Sequence, residues 1–236
     1  KLNWFEIEGG IYRIGHEGDG FAYDNETPAH ETLLQDMRIA SRPVSTGEYL
    51  DFIADGGYER PEFWLSDGWT TVQAEGWQAP LYWHRDGNLW MTYTLYGLQP
   101  VRECEPVTHV SYYEANAFAA WAEKRLPTEM EREVAARLHG EKDELAPQAG
   151  IHPRPLAPGF TQDVWEWTES AYLPYPGFKP AKGAVGEYNG KFMVNQMVLR
   201  GRSCATPPGH QRISYRNFFP ASARWQFSGF RLAEDN

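Results

Sequence analysis

The segment Tyr215-Arg-Asn-Phe-Phe-Pro220 sets the guanidinium of Arg216 and the amide of Asn217 directly before the rings of Phe218 and Phe219, and a chain-stiffening proline follows. Two large apolar groups beside two hydrogen-bonding groups can line a pocket and orient a ligand within it. The same residues also read as a core strand running into a turn, and the residues alone leave both readings open. A second segment, Asp163-Val-Trp-Glu-Trp-Thr168, alternates so that Trp165 and Trp167 fall on one face of a short strand and Glu166 on the other. Glu166 is then either a buried, hydrogen-bonded carboxylate or one oxygen donor to a hard cation such as calcium, with backbone carbonyls completing the shell.

Other chemistries find less support. A mononuclear iron or zinc site needs two or three clustered imidazoles, whereas His16, His30, His84, His109, His139, His152 and His210 are scattered, with no pair at helical spacing. Each reads as a surface or hydrogen-bonding histidine. No G-x-S-x-G, P-loop or strand-to-helix GxGxxG is present. Cys104 lies between Glu103 and Glu105, which raise a thiol pKa. Cys204, near Arg200 and Arg202, has a setting that favours a thiolate, against the simpler reading of a thiol in a structural turn. Two distant cysteines without CxxC spacing argue against a zinc site or disulfide framework and for a reducing, cytoplasmic setting.

The elements that must position these residues fit one domain spanning 1–236. A formal charge of -10 argues against nucleic acid or an anionic membrane as partner, and no apolar run approaches the roughly 18 residues that cross a bilayer. No signal peptide is visible, and a chain that begins at Lys1 is expected to be a processed product or a fragment. With 15% aromatic residues, 22 glycines and 17 prolines, the chain predicts a turn-rich fold in which large rings supply the buried area. Three capping boxes predict helices: Ser45-x-x-Glu48 opens one to about Ala54, Ser111-x-x-Glu114 one to about Lys124, and Thr128-x-x-Glu131 one that stops at Gly140. Short strands are predicted at 11–14, 81–83, 89–93, 197–199 and 229–232, and Gly140 to Pro158 reads as a mobile loop.

Seven blocks occur in order: Gly9-Gly-Ile-Tyr-Arg-Ile-Gly15, Asn25-Glu-Thr-Pro28 with His30, Pro43-Val-Ser-Thr-Gly-Glu-Tyr49, Pro106-Val-Thr-His-Val-Ser-Tyr112, Arg125-Leu-Pro-Thr-Glu129, Val164-Trp-Glu-Trp-Thr168 and Gly229-Phe-Arg-Leu232. Together they resemble the formylglycine-generating-enzyme/sulfatase-modifying-factor superfamily over nearly the whole chain. The resemblance implies an α+β, C-type-lectin-like fold of short strands, few helices and much irregular structure. Formylglycine-generating enzymes hold copper with two C-terminal cysteines, and only Cys204 stands in that part of this chain. Further blocks, among them Tyr172-Leu-Pro-Tyr-Pro-Gly-Phe178, Gly186-Glu-Tyr-Asn-Gly-Lys-Phe-Met193 and Tyr215-Arg-Asn-Phe-Phe-Pro220, resemble the C-terminal domain of iron-dependent sulfoxide synthases of ergothioneine biosynthesis.

That resemblance implies an enzyme that joins the sulfur of cysteine or γ-glutamylcysteine to hercynine with O2. Its iron(II) is held by three histidines of a separate N-terminal DinB-type domain with an HxxxHxE pattern, which this chain lacks. The chain would then be a substrate-binding half, inactive alone, with candidate substrate residues Arg216, Asn217, Phe218, Phe219, Tyr188 and Arg224. By resemblance Asn217 and Phe218 contact hercynine and Phe219 faces the sulfur substrate. The apolar Phe219, with Ala223 in place of an arginine, points to free cysteine, since a ring cannot pair with the added charges of the larger thiol. A non-catalytic lectin-like binding module is the alternative. Three residues depart from the family pattern: Arg132 in place of tryptophan, and Gln162 and Arg202 in place of glycines. If those glycines serve a left-handed backbone, the local turns must differ here.

Overall fold

The computed structural model describes residues 2–140, 150–160, 163–180, 182–183, 186–208 and 210–235. In chain order its elements are β1 (Trp4–Ile7), β2 (Gly10–Ile14), β3 (His30–Leu34), β4 (Met37–Ala40), α1 (Thr46–Ala54), α2 (Ser66–Glu75), β5 (Trp83–Asp86), β6 (Leu89–Thr94), β7 (Gly97–Pro100), α3 (Tyr112–Trp121), α4 (Glu129–Leu138), β8 (Trp165–Ala171), α5 (Gly186–Asn189), β9 (Met197–Gly201), β10 (Asn217–Phe219), β11 (Ser228–Phe230) and β12 (Ala233–Asp235). The α+β class with short strands is as expected.

All three predicted capping boxes form. Ser45, Ser111 and Thr128 each accept a hydrogen bond from the backbone N–H three residues on, and Glu48, Glu114 and Glu131 reach back to the cap N–H. Each box satisfies two amide groups that the first turn of a helix leaves orphaned. Helix α2 has no side-chain cap, and Gly76 in the left-handed region closes it. Without a capping box its sequence gives no helix signal. The predicted strand at 81–83 is displaced, because Tyr82 adopts φ 73° and extended pairing starts only at Trp83. The predicted loop from Gly140 falls largely on 141–149, outside the described residues.

Among the described residues, β4 lies between β1 and β12, β2 pairs with β3, β5–β6–β7 form an antiparallel meander, and the central sheet runs β10-β9-β8-β11 with β11 parallel to β8. Apolar side chains gather in two clusters. One packs Tyr49 and Phe52 of α1 and Phe118 of α3 against Trp167, Leu199 and Phe230 of the central sheet. The other packs Ile7, Ile14, Met37 and Ile39 against Val134 and Ala135 of α4. Trp165 and Trp167 share the first cluster, as the period-two pattern predicts, and Trp167 Nε1 donates to Val110 O at 2.9 Å.

A charged layer joins α4 to the central sheet and to the chain that follows it. Glu166 of β8 is buried and accepts from Arg132 Nε at 2.8 Å and from Arg231 Nε and Nη2 at 2.9 Å each. Arg231 also donates to Ala40 O and Phe160 O, and both guanidiniums lie over the Phe160 ring. Arg200 of β9 reaches both Glu129 and Glu133 of α4. The arginine that departs from the family pattern at 132 is thus a partner of Glu166. Arg202, in place of a glycine, does not adopt a left-handed backbone, and it pairs with Asp163 at 3.4 Å, so no altered turn is needed there. Gln162 lies outside the described residues.

These contacts overturn the calcium expectation at Glu166. Two guanidiniums fill the space a cation would occupy, and their positive field repels one. Burial alone would raise the Glu166 pKa, but the charges and hydrogen bonds of Arg132 and Arg231 outweigh it and hold the carboxyl at about 2. Replacing Glu166→Gln keeps the shape and leaves the arginines uncompensated, so urea unfolding should show a loss of about 3–5 kcal/mol at neutral pH. A carboxyl at 4.5 when unfolded and about 2 when folded contributes fully above pH 4.5 and progressively less as pH falls through 2. The gap between parent and variant should therefore narrow over that acid window, and a gap independent of pH would overturn the assignment.

Candidate functional site

Strand β10 stands between two cavities. On one side is a cleft of about 530 Å³ lined by Tyr23, Asn25, Tyr188, Phe192, Tyr215 and residues 216–220. On the other is a larger, aromatic-walled cavity of about 670 Å³ that includes Asn217 and Phe219. Alternation along the strand divides the rings. Phe218 stacks on Tyr172 with centroids 4.0 Å apart and planes at 9°, and lies 5.9 Å from Phe192. Phe219 meets the edge of Trp225 at 5.2 Å. The segment is a half-buried sheet strand whose side chains form cavity walls.

The strand is held from below. Arg216 lies buried beneath it, donating from Nε and Nη2 to the two oxygens of Glu129 at 2.8 Å each. It also donates to Asn25 O at 3.0 Å and Leu173 O at 2.8 Å, and its guanidinium sits 4.0 Å from the Tyr175 ring centroid. Its sequence position suggested substrate contact, but these bonds engage the guanidinium inside the protein. Its role is to position residues 217–219. On the same cleft, Asn25 Nδ2 donates to Tyr172 Oη at 2.8 Å and to Arg216 O at 3.3 Å. Glu26 next to it accepts from Arg212, from Ser214 Oγ at 2.6 Å and from Tyr23 N at 2.9 Å. Burial opposes its ionisation, yet these donors together lower its pKa.

The remaining predicted residues divide. Tyr188 on α5 is exposed at the cleft rim, in ring contact with Phe192. Asn217 Oδ1 accepts from Phe218 N at 2.9 Å, and its amide nitrogen remains to donate. Arg224 does not join the cleft. It lies over Trp77 at 4.1 Å and donates to Glu114 Oε1 at 3.0 Å and Ala79 O at 3.2 Å, which makes it a brace for the Ser111–Glu114 cap. Sequence reasoning missed Asn25, Tyr172 and Phe192. All three stand in recognised blocks, but nothing in their spacing ties them to strand β10.

Tyr172 and Tyr215 are both pushed up to about 12, chiefly by burial, so their phenols stay protonated and able to donate. Cys204 is buried and likewise raised to about 12, despite nearby Arg202, so the expected thiolate-favouring setting is not realised. Among the described residues no group of three His, Cys, Asp or Glu side chains could hold a metal ion. No helix among them is long and apolar enough to cross a membrane.

Fold and cleft together define a C-type-lectin-like domain with an aromatic-walled cleft along one short strand. The chain belongs to the family of sulfatase-modifying factor enzyme 1-like domains, whose model matches residues 4–154 and 159–236. It is 36% identical over 262 residues to the hercynine oxygenase of Mycolicibacterium smegmatis, covering 97% of this chain and 60% of that protein. It is 39% identical over 241 residues to the hercynine oxygenase of Mycobacterium tuberculosis, covering 90% and 56%. The chain thus spans little more than half the length of these relatives. Among solved structures, PvdO from Pseudomonas aeruginosa superposes with a TM-score of 0.62 at 18% identity, covering 99% of this chain and 94% of that one, a likeness of fold.

The Arg216 clamp has a measurable consequence. Glu129→Gln removes the charge under β10 and should cost about 3 kcal/mol or more in urea unfolding, because it strands buried guanidinium charge. Near-UV circular dichroism of the Tyr172–Phe218 stack should weaken while the far-UV signal persists. An unchanged near-UV spectrum would show that the clamp does not position the strand.

Proposed function

We propose that this chain is the substrate-binding half of an iron(II)- and O2-dependent sulfoxide synthase that joins cysteine to hercynine in ergothioneine biosynthesis. The observation that carries the reading is the placement of Asn217 and Phe218 on the wall of a cleft, in a chain similar over 90–97% of its length to proteins named hercynine oxygenase. The Asn217 amide nitrogen would donate to hercynine, and the Phe218 ring, backed by Tyr172, would offer an aromatic face to its trimethylammonium group. Phe219, packed on Trp225, would bound the space of the thiol substrate. An apolar ring at that position favours free cysteine over γ-glutamylcysteine, whose extra charges it cannot pair.

The described residues do not fit an iron site, so no step through iron is assigned to them. In this reading the iron ligands come from a DinB-type domain, either in the same longer polypeptide or in a partner chain. What this chain contributes is orientation: a strand fixed by Arg216 and Glu129 sets the hydrogen-bonding amide and the two rings, and effective positioning of two reactants is itself a large part of catalysis.

Supplied with iron(II), hercynine, cysteine and O2, this chain alone should form no sulfoxide, and turnover would show that it carries its own iron ligands. In the protein that also carries the iron-binding domain, Asn217→Ala should lower kcat/KM for hercynine by about tenfold, the loss expected for one ligand hydrogen bond. Steady-state kinetics unchanged by that substitution would remove the pocket assignment and leave a non-catalytic binding module as the better reading.

A further inference from the structure

Charge is scarce on the wall of the larger cavity, the one bounded by Phe219 and Trp225. Among the described residues that form it, Arg102 and Glu105 are the only Arg, Lys, Asp or Glu side chains, set among rings such as Tyr82, Trp83 and Phe227. The two stand three residues apart on the turn that follows β7. The Glu105 N–H donates to Arg102 O at 3.1 Å and closes that turn. The first turn of α1 then holds it in place, with the Thr46 N–H donating to Glu105 O at 2.8 Å and the Gly47 N–H to Glu103 O at 3.0 Å. A cation and an anion are thereby presented side by side, with Arg102 Nη1 3.7 Å from Glu105 Oε1.

Neither group is fully engaged by the protein. Glu105 is nine-tenths buried, and its Oε2 meets His152 Nε2 at 2.9 Å. Its Oε1 accepts no hydrogen bond among the described residues, and it is not sealed from open space. The Arg102 guanidinium approaches that oxygen no closer than 3.7 Å, beyond hydrogen-bond distance, and its side chain is otherwise exposed. A largely buried carboxylate oxygen without a donor is costly until one is supplied. His109 on the same wall adds no charge at neutral pH, since burial lowers its pKa to about 4.

An α-amino acid carries the complementary pair, an ammonium and a carboxylate on one carbon. On entering an aromatic cavity it loses the hydration of both, so both must find partners. We infer that Arg102 and Glu105 form the head-group site of the thiol substrate: Glu105 Oε1 accepts from its α-ammonium, and Arg102 donates to its α-carboxylate. This inference rests on the assignment of the cavity to the thiol and deepens it. Glu105 becomes a specificity-determining residue, because in γ-glutamylcysteine the same nitrogen is an uncharged amide. The carboxylate thus favours free cysteine on grounds separate from the ring of Phe219.

Thiols that lack one charge each test it in the protein that also carries the iron-binding domain: 3-mercaptopropionate has no ammonium, and cysteamine has no carboxylate. Glu105→Gln should lower kcat/KM for cysteine about tenfold to hundredfold, the range of one charge-assisted hydrogen bond, mainly through KM. It should leave 3-mercaptopropionate and the KM for hercynine unchanged. Arg102→Ala, at an exposed position, should lower cysteine by about threefold to tenfold and spare cysteamine. Undiminished use of cysteine by Glu105→Gln, or equal losses for cysteine and 3-mercaptopropionate, would overturn the inference. A readout without turnover comes from this chain itself: L-serine should shift the carbon-13 resonance of the Glu105 carboxylate, and N-acetyl-L-serine should not. An unmoved resonance would also overturn it. A serine shift in a protein that makes no sulfoxide would remove the synthase reading and leave the amino-acid site standing.

Discussion

The buried charge layer between α4 and the central sheet is the constraint on which the rest depends. Among the described residues, the guanidiniums of Arg132, Arg200, Arg216 and Arg231 meet the carboxylates of Glu129, Glu133 and Glu166, all of them nearly without solvent exposure. Removing such groups from water is expensive, and attraction offsets the cost only where geometry is close and further hydrogen bonds are made. Here those further bonds run to Ala40, Asn25, Phe160, Leu173 and Ile213 carbonyls, in segments far apart in sequence. A small displacement of α4 would therefore leave several charges unpaired at once. Apolar packing tolerates a range of arrangements, whereas this layer admits few.

That restriction reaches strand β10 through one side chain. Arg216 is covalently next to Asn217, and its guanidinium is fixed to Glu129 by two parallel hydrogen bonds. The rings and amide on the cleft wall thus take their register from helix α4. Binding groups set on such supports lose little freedom when a ligand arrives.

Local elements were more legible in the sequence than their assembly. The three capping boxes announced α1, α3 and α4, because their bonds span only three residues. Alternation at 163–168 gave the correct faces of β8, while the partners of Glu166 could not be read, since Arg132 and Arg231 lie 34 and 65 residues away. Arg216 and Arg224 looked like ligand contacts because a charged group next to aromatic residues has the same appearance whether it faces a pocket or a buried carboxylate. The residues of the cleft were partly visible as blocks in order, but their convergence belongs to the topology that brings 23–25, 172, 188–192 and 215–220 together.

Among the described residues, strand β10 is also the outermost member of the central sheet, paired on one side only. An unpaired strand margin is ordinarily a template onto which another chain can add, leading to aggregation. Here the strand is three residues long, and Pro220 immediately after it lacks the N–H that would extend a ladder. The strand that forms the cleft wall is thereby a poor template for a foreign strand, and the domain can keep that wall open without inviting edge-to-edge self-association.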